Sequence, residues 1–243
     1  MCGRYAITQP PSVLAKLYKA IGALPNFPAR YNAAPTQPLP IVRRAHSDQR
    51  ELALARWGLV PSWSKGPDPR FTMINARSET VSSKPAYRGP FRHRRCLVPA
   101  SGFFEWQTIP GGKQPWYFTS ASGEPLAFAG LWDQWMGPQG DEIESFTIVL
   151  TDANETVRPV HERMPVILAP DDYGKWLGEE DLPTRQVEQL LRPFPASEMK
   201  AWPVSIRVNS AANDDPAVLD EWSEIVRPDQ MELLHQGDVD QWR

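Results

Sequence analysis

Between about residues 96 and 151 the chain alternates aromatic and aliphatic runs with glycine breaks, and this pattern limits the fold most. Cys96-Leu97-Val98-Pro99, Gly102-Phe103-Phe104-Glu105-Trp106, Trp116-Tyr117-Phe118, Leu126 to Trp132 and Phe146 to Thr151 each read as a short strand. Gly111-Gly112 and Gly123 supply turns between them. Short strands joined by tight turns pair mainly with their sequence neighbours. The predicted fold is therefore α+β, with a mostly antiparallel, barrel-like β core flanked by helices. A proline count of 26 agrees with many turns and argues against a helical bundle.

Outside this block the periodicity changes. Val13, Leu14, Leu17, Ile21 and Leu24 recur at three and four, predicting a helix that starts near Ser12 and packs on a sheet. Leu39 to Arg43 and Leu52 to Val60 read as strands, the segment from residue 64 to 73 as a loop, and Pro203 to Asn209 as the last strand. Thr184 to Leu191 and Ala217 to Val226 read as helices. The 243 residues are predicted to form a single domain, with 216–243 as an acidic, helical C-terminal extension.

Cys2 and Cys96 are the only cysteines, which removes a disulfide framework or a cysteine zinc site and fits a reducing, cytoplasmic setting. No apolar run has the length of a signal or membrane span. From Asp214 onward nine acidic residues meet two arginines, a net of −7 against −3 for the whole chain, which leaves the preceding residues at +4. The body of the protein can therefore accept a polyanion. Glycine-rich phosphate loops, a His-Glu-x-x-His helix and a Gly-x-Ser-x-Gly elbow are missing from the sequence, so nucleotide hydrolysis, zinc proteolysis and α/β-hydrolase chemistry have no support. No metal or cofactor is expected.

Cys2 follows Met1 directly and is small enough for aminopeptidase to expose it. The mature residue would carry an α-amine with a pKa near ~8 beside a thiol near ~8.5, which Arg4 would lower further. Such a 1,2-aminothiol condenses with aldehydes to a thiazolidine; the plainer reading is an incidental thiol. Glu105 sits inside an aromatic strand, with Phe103 on its own face and Phe104 and Trp106 on the other. It is either solvent-facing or held in a desolvated pocket, where it would act as a general acid. His161 precedes the apolar run Val166 to Leu168. Arg88 to Arg95 hold four arginines and a histidine, either a solvated face or a phosphate-facing patch. Trp57 and Trp63 flank a Pro-containing turn, as core or as base-stacking surfaces.

Taken together, Met1-Cys2-Gly3-Arg4-Tyr5, Tyr31-Asn32, Trp57-Gly58, Ile74-Asn75-Ala76-Arg77-Ser78-Glu79-Thr80, Arg95 to Pro99, Gly102 to Trp106, His161 with Arg163 and Pro165, and Val208-Asn209 resemble the SOS response-associated peptidase (SRAP) domain, from residue 2 to about 215. The resemblance implies covalent capture of abasic sites in single-stranded DNA, at replication forks, by a monomeric, nucleoid-associated protein. It implies Cys2, Asn75, Glu105 and His161 as catalytic residues: Cys2 as nucleophile, Glu105 as proton shuttle, His161 assisting it, and Asn75 holding the sugar or the Cys2 amine. Arg4, Arg77 and Arg163 would clamp phosphates, with Asn32, Trp63 and Trp106 as further DNA contacts. It also implies possible self-removal of Met1. Two alternatives remain open: an N-terminal-nucleophile amidohydrolase or peptidase, since glutamine amidotransferases also begin Met-Cys-Gly, and a non-covalent binding module for single-stranded or modified DNA.

Overall fold

The computed structural model describes residues 2–44, 48–68 and 72–222. Twelve strands are present among these residues: β1 (Arg4–Ile7), β2 (Arg30–Ala33), β3 (Pro38–Arg44), β4 (Arg50–Trp57), β5 (Asn75–Arg77), β6 (Arg95–Ala100), β7 (Gly102–Ile109), β8 (Gly112–Ser120), β9 (Leu126–Met136), β10 (Glu142–Asp152), β11 (Arg163–Pro165) and β12 (Met199–Pro203). Four α-helices accompany them: α1 (Pro11–Tyr18), α2 (Pro85–His93), α3 (Tyr173–Leu177) and α4 (Thr184–Glu188). One sheet runs β12-β8-β7-β1-β2. The other runs β11-β10-β4-β3-β6-β9, and β9 also pairs with β10, so the sheet closes on itself into a ring. The α+β, mainly antiparallel expectation holds, with β10 adding parallel pairings to β4 and β5.

The ring closes tightly because β9 carries Gly130 between Cys96 of β6 and Ile148 of β10. A Cβ there would lie 2.8 Å from both Cys96 Sγ and Val98 Cγ2, so a larger residue would force the strands apart. β4 ends at Trp57 because Gly58 turns the chain with a φ of 121°.

Alternation along β1 and β7 decides what lies between the sheets. Tyr5 and Phe103 point into the main core, where Tyr5 meets Trp57 edge-on at 5.1 Å and Phe103 stacks on Phe118 at 5.1 Å. Phe128 of β9 joins both, 6.0 Å from Tyr5 and 5.9 Å from Phe103. On the opposite face Ala6, Phe104 and Tyr117 form a second cluster with Val204, Val208 and Val218, so the segment after β12 covers the outside of this sheet. Each of these large side chains contributes about 1.5–3 kcal/mol through burial.

Several elements differ from the sequence reading. α1 stops at Tyr18, where Lys19 adopts a left-handed conformation and its N–H caps Ala15 and Lys16 carbonyls. Ile21 and Leu24 fall beyond it and are exposed, and Ser12 lies inside the helix rather than capping it. Leu14 and Tyr18 do pack inward. α2 covers what read only as a charge run. The last strand ends at Pro203, and Ile206–Asn209 is a 3-10 turn capped by Ser205, whose hydroxyl accepts the Arg207 N–H at 3.3 Å. The helix expected from Ala217 is a 3-10 turn over Pro216–Leu219; its remainder from residue 223, like Met1 and most of the acidic extension, lies outside the described residues. Among the described residues no helix is long and apolar enough to cross a membrane.

Candidate functional site

With Arg4 opposite Phe104 in the antiparallel β1–β7 pair, the residues before Arg4 run alongside Glu105 and Trp106. Continued by one residue, this register sets Gly3 beside Glu105, near enough to Cys2 for the Glu105 charge to act on its thiol. Glu105 shares the core-facing side of β7 with Phe103 and is only 2% exposed, so the desolvated reading of this residue is the one observed. Asn75 and His161 arrive from either edge of β10: β5 pairs with Ile148 to Leu150 on one side, and β11, just after His161, pairs with Leu150 to Asp152 on the other. Four residues distant in sequence thus meet at one end of the core.

Asn75 Nδ2 donates to the Cys2 carbonyl at 2.8 Å. Its Oδ1 is buried and has no hydrogen-bond partner among the described residues, which leaves an acceptor beside Cys2. Tyr87, on α2, fixes this strand by donating to the Asn75 carbonyl at 3.2 Å. Its role was not visible in the sequence, because the segment around it reads as a charge run. His161 Nδ1 lies 3.0 Å from the Arg163 N and 3.1 Å from the Arg163 carbonyl oxygen, so the Arg163 backbone fixes the ring.

Burial pushes the Glu105 carboxyl up from the ordinary range, opposed by the neighbouring His161. Burial also pushes the Cys2 thiol up, and the Glu105 charge adds to that rise. The expected lowering of the thiol pKa by Arg4 is thereby corrected. The Arg4 guanidinium is committed elsewhere, donating to Asn32 Oδ1 at 3.0 Å, Val208 O at 2.9 Å and Asn209 O at 3.3 Å.

The residues expected to contact DNA occupy several kinds of environment. Asn32 is fully buried and shares its amide hydrogens among the carbonyls of Val208, Ser210 and Asn213 at 2.9–3.1 Å. Its place is to hold that turn and Arg4, not to present itself at a surface. Asn32→Ala is expected to cost about 3 kcal/mol, because it strands several buried acceptors. Asn32→Asp should be worse, since a carboxylate would face three carbonyls; urea unfolding of both variants measures this. Trp106 is half-buried and donates to Asn209 Oδ1 at 2.8 Å. Arg77 is exposed, and Trp63 is 67% exposed. Arg163 is paired with Glu79 and, at 3.2 Å, with Asp152. Among the described residues no group of three or more His, Cys, Asp or Glu side chains is placed to hold a metal ion.

The family model for the SOS response associated peptidase (SRAP) matches residues 1–211. The chain belongs to the SRAP family. It is 35% identical over 223 residues to the abasic site processing protein YoqW of Bacillus subtilis (strain 168), covering 90% of this chain and 99% of that one. It is 40% identical over 220 residues to the abasic site processing protein HMCES of Gallus gallus, covering 78% of this chain and 65% of the relative. A crystal structure of a Bacteroides thetaiotaomicron protein superposes with a TM-score of 0.83 at 26% identity, covering 91% of this SRAP chain and all of the other.

Proposed function

We propose that this protein processes abasic sites in single-stranded DNA by forming a thiazolidine crosslink through Cys2 once Met1 has been removed, thereby marking and shielding the lesion in DNA damage. The supporting observation is the convergence of Cys2, Asn75, Glu105 and His161, with Asn75 holding the Cys2 backbone at 2.8 Å and Glu105 coupled electrostatically to both Cys2 and His161. The names of the relatives, abasic site processing proteins, point to the same substrate.

An abasic sugar interconverts between a closed hemiacetal and an open aldehyde. The Cys2 α-amine adds to the aldehyde carbon and passes one proton to its oxygen, and Glu105, whose carboxyl burial shifts toward the acid form, gives its proton to the departing hydroxyl so that water leaves and a protonated Schiff base forms. A buried thiol holds its proton and needs a local base. The Glu105 carboxylate left by the first step is that base, with His161 assisting. The thiolate sulfur then bonds to the carbon of the protonated Schiff base, the C=N π pair becomes the lone pair of the nitrogen, which keeps its hydrogen, and the ring closes. One water is lost overall. The orphaned Asn75 Oδ1 suits an N–H of the amine or a sugar hydroxyl. Arg77 and Arg163 hold flanking phosphates, with Trp63 and Trp106 against bases, while Arg4 supports the site by holding Asn32 and the Val208 and Asn209 carbonyls. The protein acts as a monomer on single-stranded stretches such as those at replication forks.

Incubation with a single-stranded oligonucleotide carrying one abasic site should give a band that survives a denaturing gel, while the intact oligonucleotide gives none. Equal bands on both DNAs, or no band together with glutamine hydrolysis, would overturn the reading.

A further inference from the structure

The basic run from Arg88 to Arg95 divides into two parts in the fold. Arg95 turns inward and ties α2 to α3, donating to the carbonyls of Trp176, Phe91 and Arg92. Arg94 pairs with buried Asp133. Arg88, Arg92 and His93 remain exposed, and among the described residues no carboxylate pairs with Arg88 or Arg92. They line an open groove of about 690 Å³ whose other wall is Trp63.

This groove is built rather than incidental. Asp133 is 2% exposed, accepts the Ser62 N–H at 2.9 Å and pairs with Arg94, so one buried carboxylate locks the Trp63 turn against the end of α2. Arg88 and Arg92 stand one helical turn apart, about 6 Å along the axis. Tyr87, on the same helix, donates to the Asn75 carbonyl, so the helix that forms the groove wall is tied to the strand that carries Asn75. The neighbouring larger cleft also has arginines, but Glu179, Glu180 and Asp181 line it and would repel phosphate.

We propose that this groove carries the single-stranded DNA flanking the lesion on one side, with Arg88 and Arg92 neutralising successive phosphates and an adjoining base stacked on Trp63. The proposal rests on the abasic-site reading only in taking single-stranded DNA as the ligand. The grip it describes does not need an aldehyde.

Fluorescence anisotropy of the full chain with an undamaged labelled oligothymidylate tests it. The Arg88→Ala, Arg92→Ala double variant should reduce the slope of log affinity against log salt by about 1.4, near 0.7 per phosphate contact on a single strand. Trp63→Ala should weaken binding roughly 5- to 150-fold. All three residues are exposed, and circular dichroism checks that the variants fold. A Lys16→Ala, Lys200→Ala pair removes the same charge from α1 and β12, and its slope should stay near the native value. Absence of salt-dependent binding by the native chain, or the same slope loss in both double variants, would overturn the groove. A failure of abasic DNA to crosslink would instead defeat the Cys2 chemistry and leave the anisotropy result readable.

Discussion

A chain extended by a tag ahead of Met1 should form no crosslink with abasic DNA, even though its Cys2 thiol is intact. The amine makes the first bond, and a peptide bond at that nitrogen removes its nucleophilic lone pair. Cys2→Ser should separate the two groups. With Met1 removed it keeps the amine, so a Schiff base remains that borohydride reduces to a stable link, while the heat-stable adduct disappears. Cys2→Ala should behave in the same way. Denaturing gels with and without borohydride read all three proteins. A heat-stable band from the tagged chain would show that another residue attacks the sugar.

Glu105→Gln should slow adduct formation by about 10²- to 10⁴-fold, the range of a positioned acid–base group. The sign of the pH effect follows from burial, which raises the Glu105 carboxyl. The acid form does the work, so the native rate should fall as pH rises through that raised value, and Glu105→Gln should lose this limb of the profile. Stability should move in step. Because the folded chain holds this proton more tightly than the unfolded one, native stability is greatest below the unfolded carboxyl pKa and declines as pH rises through the folded value. The glutamine variant cannot ionise there. It should match the native protein in acid and exceed it in mild base, as measured by thermal unfolding at both pH values. A native-like rate and profile for Glu105→Gln would assign the residue to structure alone.

What the sequence disclosed depended on whether the cause was local. The two-residue period of β7 already separated Phe103 and Glu105 from Phe104 and Trp106, and the fold uses both faces that way. The period could not say that Glu105 lies where the core side of the strand is still covered. α2 was hidden because Gly89 and Pro90 in its interior are poor helix formers, and only tertiary packing of Tyr87 and Phe91 reveals it. In α1 the apolar pattern continued past the point where Lys19 reverses the backbone, so the helix read too long. Asn32 and Arg4 looked like surface contacts because their partners, Val208 to Asn213, lie between 176 and 205 residues away. The arginine run could not be sorted either: the two of its arginines that are tied up find their partners at Asp133 and at the α2 and α3 ends.

Intact-mass analysis with peptide mapping of the adduct reads the bond between Cys2 and the sugar itself. The predicted product has the mass of a chain beginning at Cys2 plus the abasic oligonucleotide less one water, with the DNA on the peptide that starts at Cys2. A crosslink mapped to an internal lysine or to Cys96, or an adduct that retains Met1, would contradict it.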